Sequence, residues 1–295
     1  MLTLEAPIRA DALELALIRG ALAYLLSRYY LDCRLKYDRQ SRPVGLARLV
    51  DLTGLASPAV QRRLNLLARV ALVFYVIGIG MPLVTALLCL YVVARESLNN
   101  SQGAIEHAWN AVAAVLLAQT ALYGFQTFNE LFPPGFRFSG GVGYDQMALF
   151  WSQQAISAVY FTAALTKLIE SRGAWVWHTP RIVIQIVKST RQAYYTRLEP
   201  GALAHCERLV RSVSKHPHWT RLLLGAGLLV ELAAPLFLYN RAASAAGGVL
   251  LIAFHFINRR YMRLPFKEQQ LLVGIFFLQV PFGLVAFIEF CSAAF

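Results

Sequence analysis

A series of apolar stretches, each close to 20 residues long, constrains this chain more than any other feature: 70–93, 104–125, 147–169, 221–239, 242–261 and 270–292. An α-helix needs about 20 apolar residues to cross a hydrocarbon core of roughly 30 Å. A further stretch, 12–31, is interrupted by Glu14 and Arg19 and either crosses or lies at the interface. The pattern predicts an all-α fold, a polytopic transmembrane helix bundle with six or seven crossings and interfacial amphipathic helices. Composition agrees: 57% of residues are hydrophobic and 15% charged, where soluble domains carry about 25% charged residues. With a mean hydropathy of +0.50, a typical soluble enzyme is excluded. The polar stretches are too short for a separate soluble domain, so residues 1–295 read as a single membrane domain.

The formal charge of +12, from 28 Lys and Arg against 16 Asp and Glu, is expected in loops facing anionic headgroups or the cytoplasm. It is not read as nucleic-acid binding. The N-terminal acids Glu5, Asp11 and Glu14, with no small-residue cleavage pattern, argue against a removable signal peptide. The four cysteines stand apart, without metal-ligand spacing. Two basic segments, PAVQRRLNLLARV from Pro58 and the stretch 171–218 with Trp175, Trp177, Tyr194 and Tyr195, suit helices lying on a membrane surface. The basic loops 32–68, 171–218 and 259–267 should then share one side, yet three crossings separate the first two. Either one span is re-entrant, or a membrane element lies unrecognised between residues 42 and 68, or one basic loop faces the other side.

Polar side chains inside apolar stretches carry the functional information, because each costs roughly 2.5–3.5 kcal/mol on insertion scales. Lys167 ends its stretch and is either a snorkelling anchor or a bundle-facing lysine able to act as a base. Glu231 reads as mid-span and requires a proton or a partner, with Arg19 and Arg259 as candidates. His255 and Asn258 share a helical face, and His107 with Asn110 repeats that spacing. Either pair reads equally as interhelical packing. His107 and His255 together could also ligate a haem axially, whereas His216 and His218 around Pro217 read as a solvated loop. No metal site is expected.

Three of these segments, AVYFTAALTKLIESRGAWV, LLVELAAPLFLYNRAAS and GGVLLIAFHFINRRYMRL, resemble in order the membrane domain of the vitamin K-dependent γ-glutamyl carboxylase. That domain also occurs in bacterial proteins as the horizontally transferred transmembrane (HTTM) domain. The matching positions are Ala163, Ala164, Lys167, Leu168 and Trp175, then Glu231 to Ala234, then Phe254, His255 and Asn258. The likeness extends over residues 12–292. It departs in the loop before the lysine span, where RFSGGVGY lacks the family's acidic residue, and in the Thr166-Lys167 pair that stands for a lysine doublet.

The resemblance implies quinol-driven chemistry. Lys167 would be the base that deprotonates a reduced quinone, vitamin K hydroquinone or menaquinol. His107 would stabilise the deprotonated quinol, and His255, oriented by Asn258, would line the pocket with Glu231, Asn110 and Trp175. Oxygen would then form the quinone epoxide, with CO2 as a co-substrate and a peptide or protein substrate supplied by another chain. The setting implied is a multi-pass protein of the bacterial cytoplasmic membrane. Two other classes remain open: a non-enzymatic membrane subunit or maturation factor that holds a partner, and a quinone- or haem-linked electron-transfer subunit.

Overall fold

Glycine and proline decide where the helices of this protein stop. In the computed structural model, which describes residues 10–32, 35, 39–102, 109–132, 143–198, 201–262 and 266–293, every regular element among the described residues is helical. Helix α1 (Ala12–Leu25) is capped by the Asp11 carboxylate on the Glu14 N–H and runs on as a π-helical turn to Leu31. Next come α2 (Pro58–Ile77), α3 (Met81–Asn100), α4 (Asn110–Leu131) and α5 (Tyr144–Glu170). The short α6 (Trp175–His178) precedes α7 (Val183–Arg197), α8 (Ala202–Lys215), α9 (Pro217–Leu232), α10 (Arg241–Met262), α11 (Lys267–Phe276) and α12 (Val280–Ala293).

Helices α3, α4 and α10 are long and apolar enough to cross a membrane, and α11 with α12 forms a fourth candidate bent by 45°. Three stretches expected to be single spans are broken. Within 70–93, Gly78 (φ 83°) ends α2 in the left-handed conformation and Gly80 (φ 63°) opens α3, with Pro82 in its first turn. An L-residue with a Cβ adopts such φ values only at a cost, and proline removes a helix-interior donor. The result is a helical hairpin whose arms meet where the Tyr91 hydroxyl donates to Asn65 Oδ1 at 2.5 Å. The run from Pro58 is therefore the first half of α2, not a separate surface helix. Within 221–239, α9 gives way after Leu232 to a 3₁₀ turn carrying Pro235. Within 270–292, Gln279 (φ 52°) and Pro281 separate α11 from α12.

The chain divides into two compact units, Met1–Ile156 with Leu271–Phe295 and Ser157–Gln270. In the first, several polar side chains within the helices are paired with one another, whereas Gln153 Oε1 and both side-chain polar atoms of Gln279 are buried without a partner among the described residues. Arg19 Nη2 donates to Asp145 Oδ1 at 2.5 Å, and the Tyr123 hydroxyl donates to the same oxygen at 2.7 Å. The Tyr75 hydroxyl donates to Gln119 Oε1 at 2.9 Å, and Gln119 Nε2 to Ser152 Oγ at 2.9 Å. Buried Arg95 stacks over the Tyr30 ring, 4.4 Å from its centroid.

In the second unit, α7 and α8 form a hairpin. The apolar stripe of α8, Cys206, Leu209 and Val213, is buried against Ile186 of α7. The apolar stripe of α8 is thus covered by protein, and its charged face points outward. Glycines let α10 pack closely on α9, through Gly227, and on the 3₁₀ turn that follows it, through Gly247. A Cβ on Gly227 would stand 2.6 Å from the Phe254 ring, and one on Gly247 would fall 2.1 Å from the ring of Phe237. Small residues at such contacts are how helices pack where no water drives them together.

Candidate functional site

Within the second unit, three helices turn their polar residues to one place. On α5, Tyr160, Ala164 and Lys167 are spaced by four and three residues and so share a face. On α9, Gly227 and Glu231 do the same, and on α10 Leu251, His255 and Asn258 form the buried stripe. Lys167 Nζ donates to Glu231 Oε2 in an ion pair whose lysine side chain is 30% exposed and whose carboxylate is 6% exposed. The lysine is therefore the end of the pair that water or a ligand can reach.

Glu231 lies in the last turn of α9 rather than mid-span, because the chain leaves the α-helix at Leu232 ahead of Pro235. Its partner is neither Arg19, which pairs with Asp145, nor Arg259, but Lys167. Aromatic faces line the ammonium: Nζ is 5.5 Å from the Trp175 ring centroid and 5.8 Å from that of Phe254. At such distances the ring quadrupole attracts the cation. Phe254 is held there by Gly227, whose missing side chain leaves room for the ring.

His255 stands beside this pair. Its Nε2 is 2.5 Å from the Tyr160 hydroxyl, and its ring packs 5.7 Å from Tyr160, 5.5 Å from Phe254 and 5.1 Å from Phe266. The charge of Lys167 acts on His255 and that of Glu231 on Tyr160, so the two pairs form one electrostatic unit. Nδ1 of His255 and Oδ1 of Asn258 are buried with no hydrogen-bond partner among the described residues. Whichever tautomer His255 adopts, Nδ1 is left as an unmatched donor or an unmatched acceptor. Two unmatched polar atoms one helical turn apart cost about 1–3 kcal/mol each, and a bound hydroxyl, which both donates and accepts, could satisfy either.

Of the residues singled out in the sequence, Lys167, Glu231, Trp175 and His255 are thus assembled, with Asn258 one turn beyond His255. Asn258 accepts no hydrogen bond from His255, since its Oδ1 has no described partner. Asn110 belongs to the first unit, as the opening residue of α4, and His107 lies outside the described residues. Sequence reasoning missed Tyr160, Phe254 as a wall, Phe266 and Gly227. Tyr160 was within reach of the pattern, because it lies two helical turns before Lys167 on the same face. Among the described residues no group of three or more His, Cys, Asp or Glu side chains could hold a metal ion.

No family model, curated protein or solved structure matches this chain.

Proposed function

We propose that the Lys167–Glu231 and Tyr160–His255 cluster is the proton-abstracting site of a membrane-embedded, carboxylase-like enzyme that acts on a quinol. The observation that carries this reading is the pair of orphaned buried atoms, His255 Nδ1 and Asn258 Oδ1, beside a lysine whose only described carboxylate partner is Glu231. A quinol fits that donor set. When bound, it would supply a weakly acidic hydroxyl and two electrons beside the Lys167 ammonium, which the Trp175 and Phe254 rings flank.

The chain's own residues can move one proton. The step would begin with transfer of the ammonium proton along the Lys167–Glu231 hydrogen bond, leaving an amine on Lys167 and an acid on Glu231. In that form Lys167 Nζ accepts one proton while Glu231 keeps the one it received, and the pair has gained a single proton. His255 and Asn258 hold the hydroxyl in place, and Tyr160 fixes the imidazole through Nε2. With Nε2 so engaged, axial haem ligation by that atom would require the tyrosine to leave.

The candidate spans α3, α4 and α10, with the bent pair α11–α12, support a multi-pass reading. A bacterial cytoplasmic membrane is the setting that the carboxylase-like chemistry implies.

A second reading, a non-enzymatic membrane subunit, is favoured by one observation: the Lys167 ammonium is already neutralised by Glu231, as in a structural clamp. The purified protein, supplied with vitamin K hydroquinone or menaquinol, oxygen and bicarbonate, separates the two. Quinone epoxide detected by mass spectrometry, and lost in Lys167→Ala, supports the enzyme. No turnover and no bound quinone supports the clamp.

A further inference from the structure

We propose that the groove between α1 and α2 holds one phospholipid, with its phosphate at Arg69 and an acyl chain along α2. This inference does not depend on the quinol reading. The groove has a volume of about 470 Å³, and its charged lining residue, Arg69, stands at one end. There Arg69 Nη1 donates to Ser27 Oγ at 3.1 Å, tying α2 to the turn that continues α1. From that point Leu72, Val73, Val76 and Ile77 carry the lining along α2, and Ala23 of α1 adds to it. The order follows from how the two helices meet. Ser27 contacts Arg69, whereas Arg19, two turns earlier on α1, lies beside Gly78 just past the end of α2. Eight residues separate Arg69 from Ile77, about 12 Å of helix, close to the roughly 15 Å of hydrocarbon in one leaflet.

The apolar end of the groove faces outward. Val73 and Ile77 are 57% and 60% exposed, and Phe74 and Ile79 beside them are exposed as well. A continuous exposed apolar face marks a surface that lipid or protein covers. Tyr24 also lines the groove, is exposed, and packs edge-on against Tyr29. Exposed tyrosines next to a charged cluster suit the level of lipid headgroups.

Charge selects the occupant. Two guanidinium groups share the Asp32 carboxylate: Arg69 Nη2 reaches Oδ1 at 2.6 Å, and Arg28 Nη1 reaches Oδ2 at 3.5 Å. One carboxylate balances one of these cations, so the cluster keeps a surplus positive charge at the end of the groove where Arg69 stands. A phosphodiester brings a single negative charge, and its oxygens fit the guanidinium fork. A phospholipid therefore matches both ends, phosphate at Arg69 and acyl chain at Val73 and Ile77. A diacylglycerol matches the apolar end alone.

Native mass spectrometry of the full chain in detergent tests the proposal, with phosphatidylglycerol and diacylglycerol of identical acyl chains as probes. Phosphatidylglycerol should be retained about tenfold or more over diacylglycerol. Val73→Trp, which adds bulk at an exposed position inside the groove, should abolish retention. Arg28→Gln removes the surplus charge from an exposed side chain and should reduce the preference about fivefold, even if the first variant folds poorly. Equal retention of the two lipids, or a preference unchanged in either variant, would overturn the proposal. Displacement of phosphatidylglycerol by millimolar inorganic phosphate alone would overturn it by showing a free-phosphate site. A dimer that Val73→Trp converts to monomer would overturn it too, by giving the groove to a second copy of the chain.

Discussion

Two buried polar networks of this protein, one in each unit, are completed to different degrees. In the first, Arg19, Asp145 and Tyr123 share one carboxylate oxygen, and Tyr75, Gln119 and Ser152 form a relay in which each named donor finds an acceptor. In the second, Lys167 and Glu231 are paired and Tyr160 engages His255, yet His255 Nδ1 and Asn258 Oδ1 are left unmatched. A satisfied network rigidifies a core, whereas a partly satisfied one holds a cost that a ligand can remove. The difference teaches where to look for chemistry: at leftover polar atoms beside an ionisable pair, as at His255 and Asn258, and not at leftover atoms alone, since Gln153 Oε1 and both side-chain polar atoms of Gln279 in the first unit are also buried without a partner among the described residues.

The comparison breaks most visibly if the ion pairs are cut. Lys167→Met leaves the Glu231 carboxylate buried without a counter-charge and should cost about 3–5 kcal/mol in thermal or denaturant unfolding. The double variant Lys167→Met, Glu231→Leu should recover most of that loss while remaining inactive. Full recovery of activity in the double variant would make the pair a clamp. A smaller effect is expected of Gly227→Ala, whose new methyl group meets the Phe254 ring at 2.6 Å. It should cost about 1–3 kcal/mol and alter Trp175 fluorescence by displacing that ring from the lysine.

In the first unit, Arg19→Met should cost less than Lys167→Met, about 1–2 kcal/mol, because the Asp145 side chain is 45% exposed and water can replace the guanidinium. Equal losses for the two variants would erase the contrast between the units. The smallest effect lies outside both networks. The backbone N–H and hydroxyl of Thr53 hold the exposed Asp51 carboxyl below its ordinary range. Its contribution is therefore present above that range and lost as pH falls through the lowered value. Asp51→Asn should leave unfolding at neutral pH nearly unchanged and slightly flatten its acid limb.

Much of the helix content was legible in the chain. The stretches 147–169 and 242–261 lie within α5 and α10, and 104–125 overlaps α4, because apolar length alone marks them. Breaks were harder to see. Apolarity is averaged over a window, and the Gly78, Gly80 and Pro82 punctuation in IGIGMP does not lower it, so one span was read where a hairpin turns. Lys167, Glu231 and His255 stood out because hydrocarbon makes each costly. Their pairing did not: 64 residues separate Lys167 from Glu231, and helical periodicity gives a residue's face but not the helix that meets it. Tyr160 escaped notice because an aromatic residue in an apolar run carries no cost that flags it.

Infrared difference spectroscopy, recorded as a quinol replaces the oxidised quinone, tests the central claim most directly. The account predicts a new protonated-carboxyl band, present in the native protein and absent in Glu231→Gln, as the Lys167–Glu231 pair takes up one proton. A carboxyl region unchanged on quinol addition, or a band that survives Glu231→Gln, would contradict it.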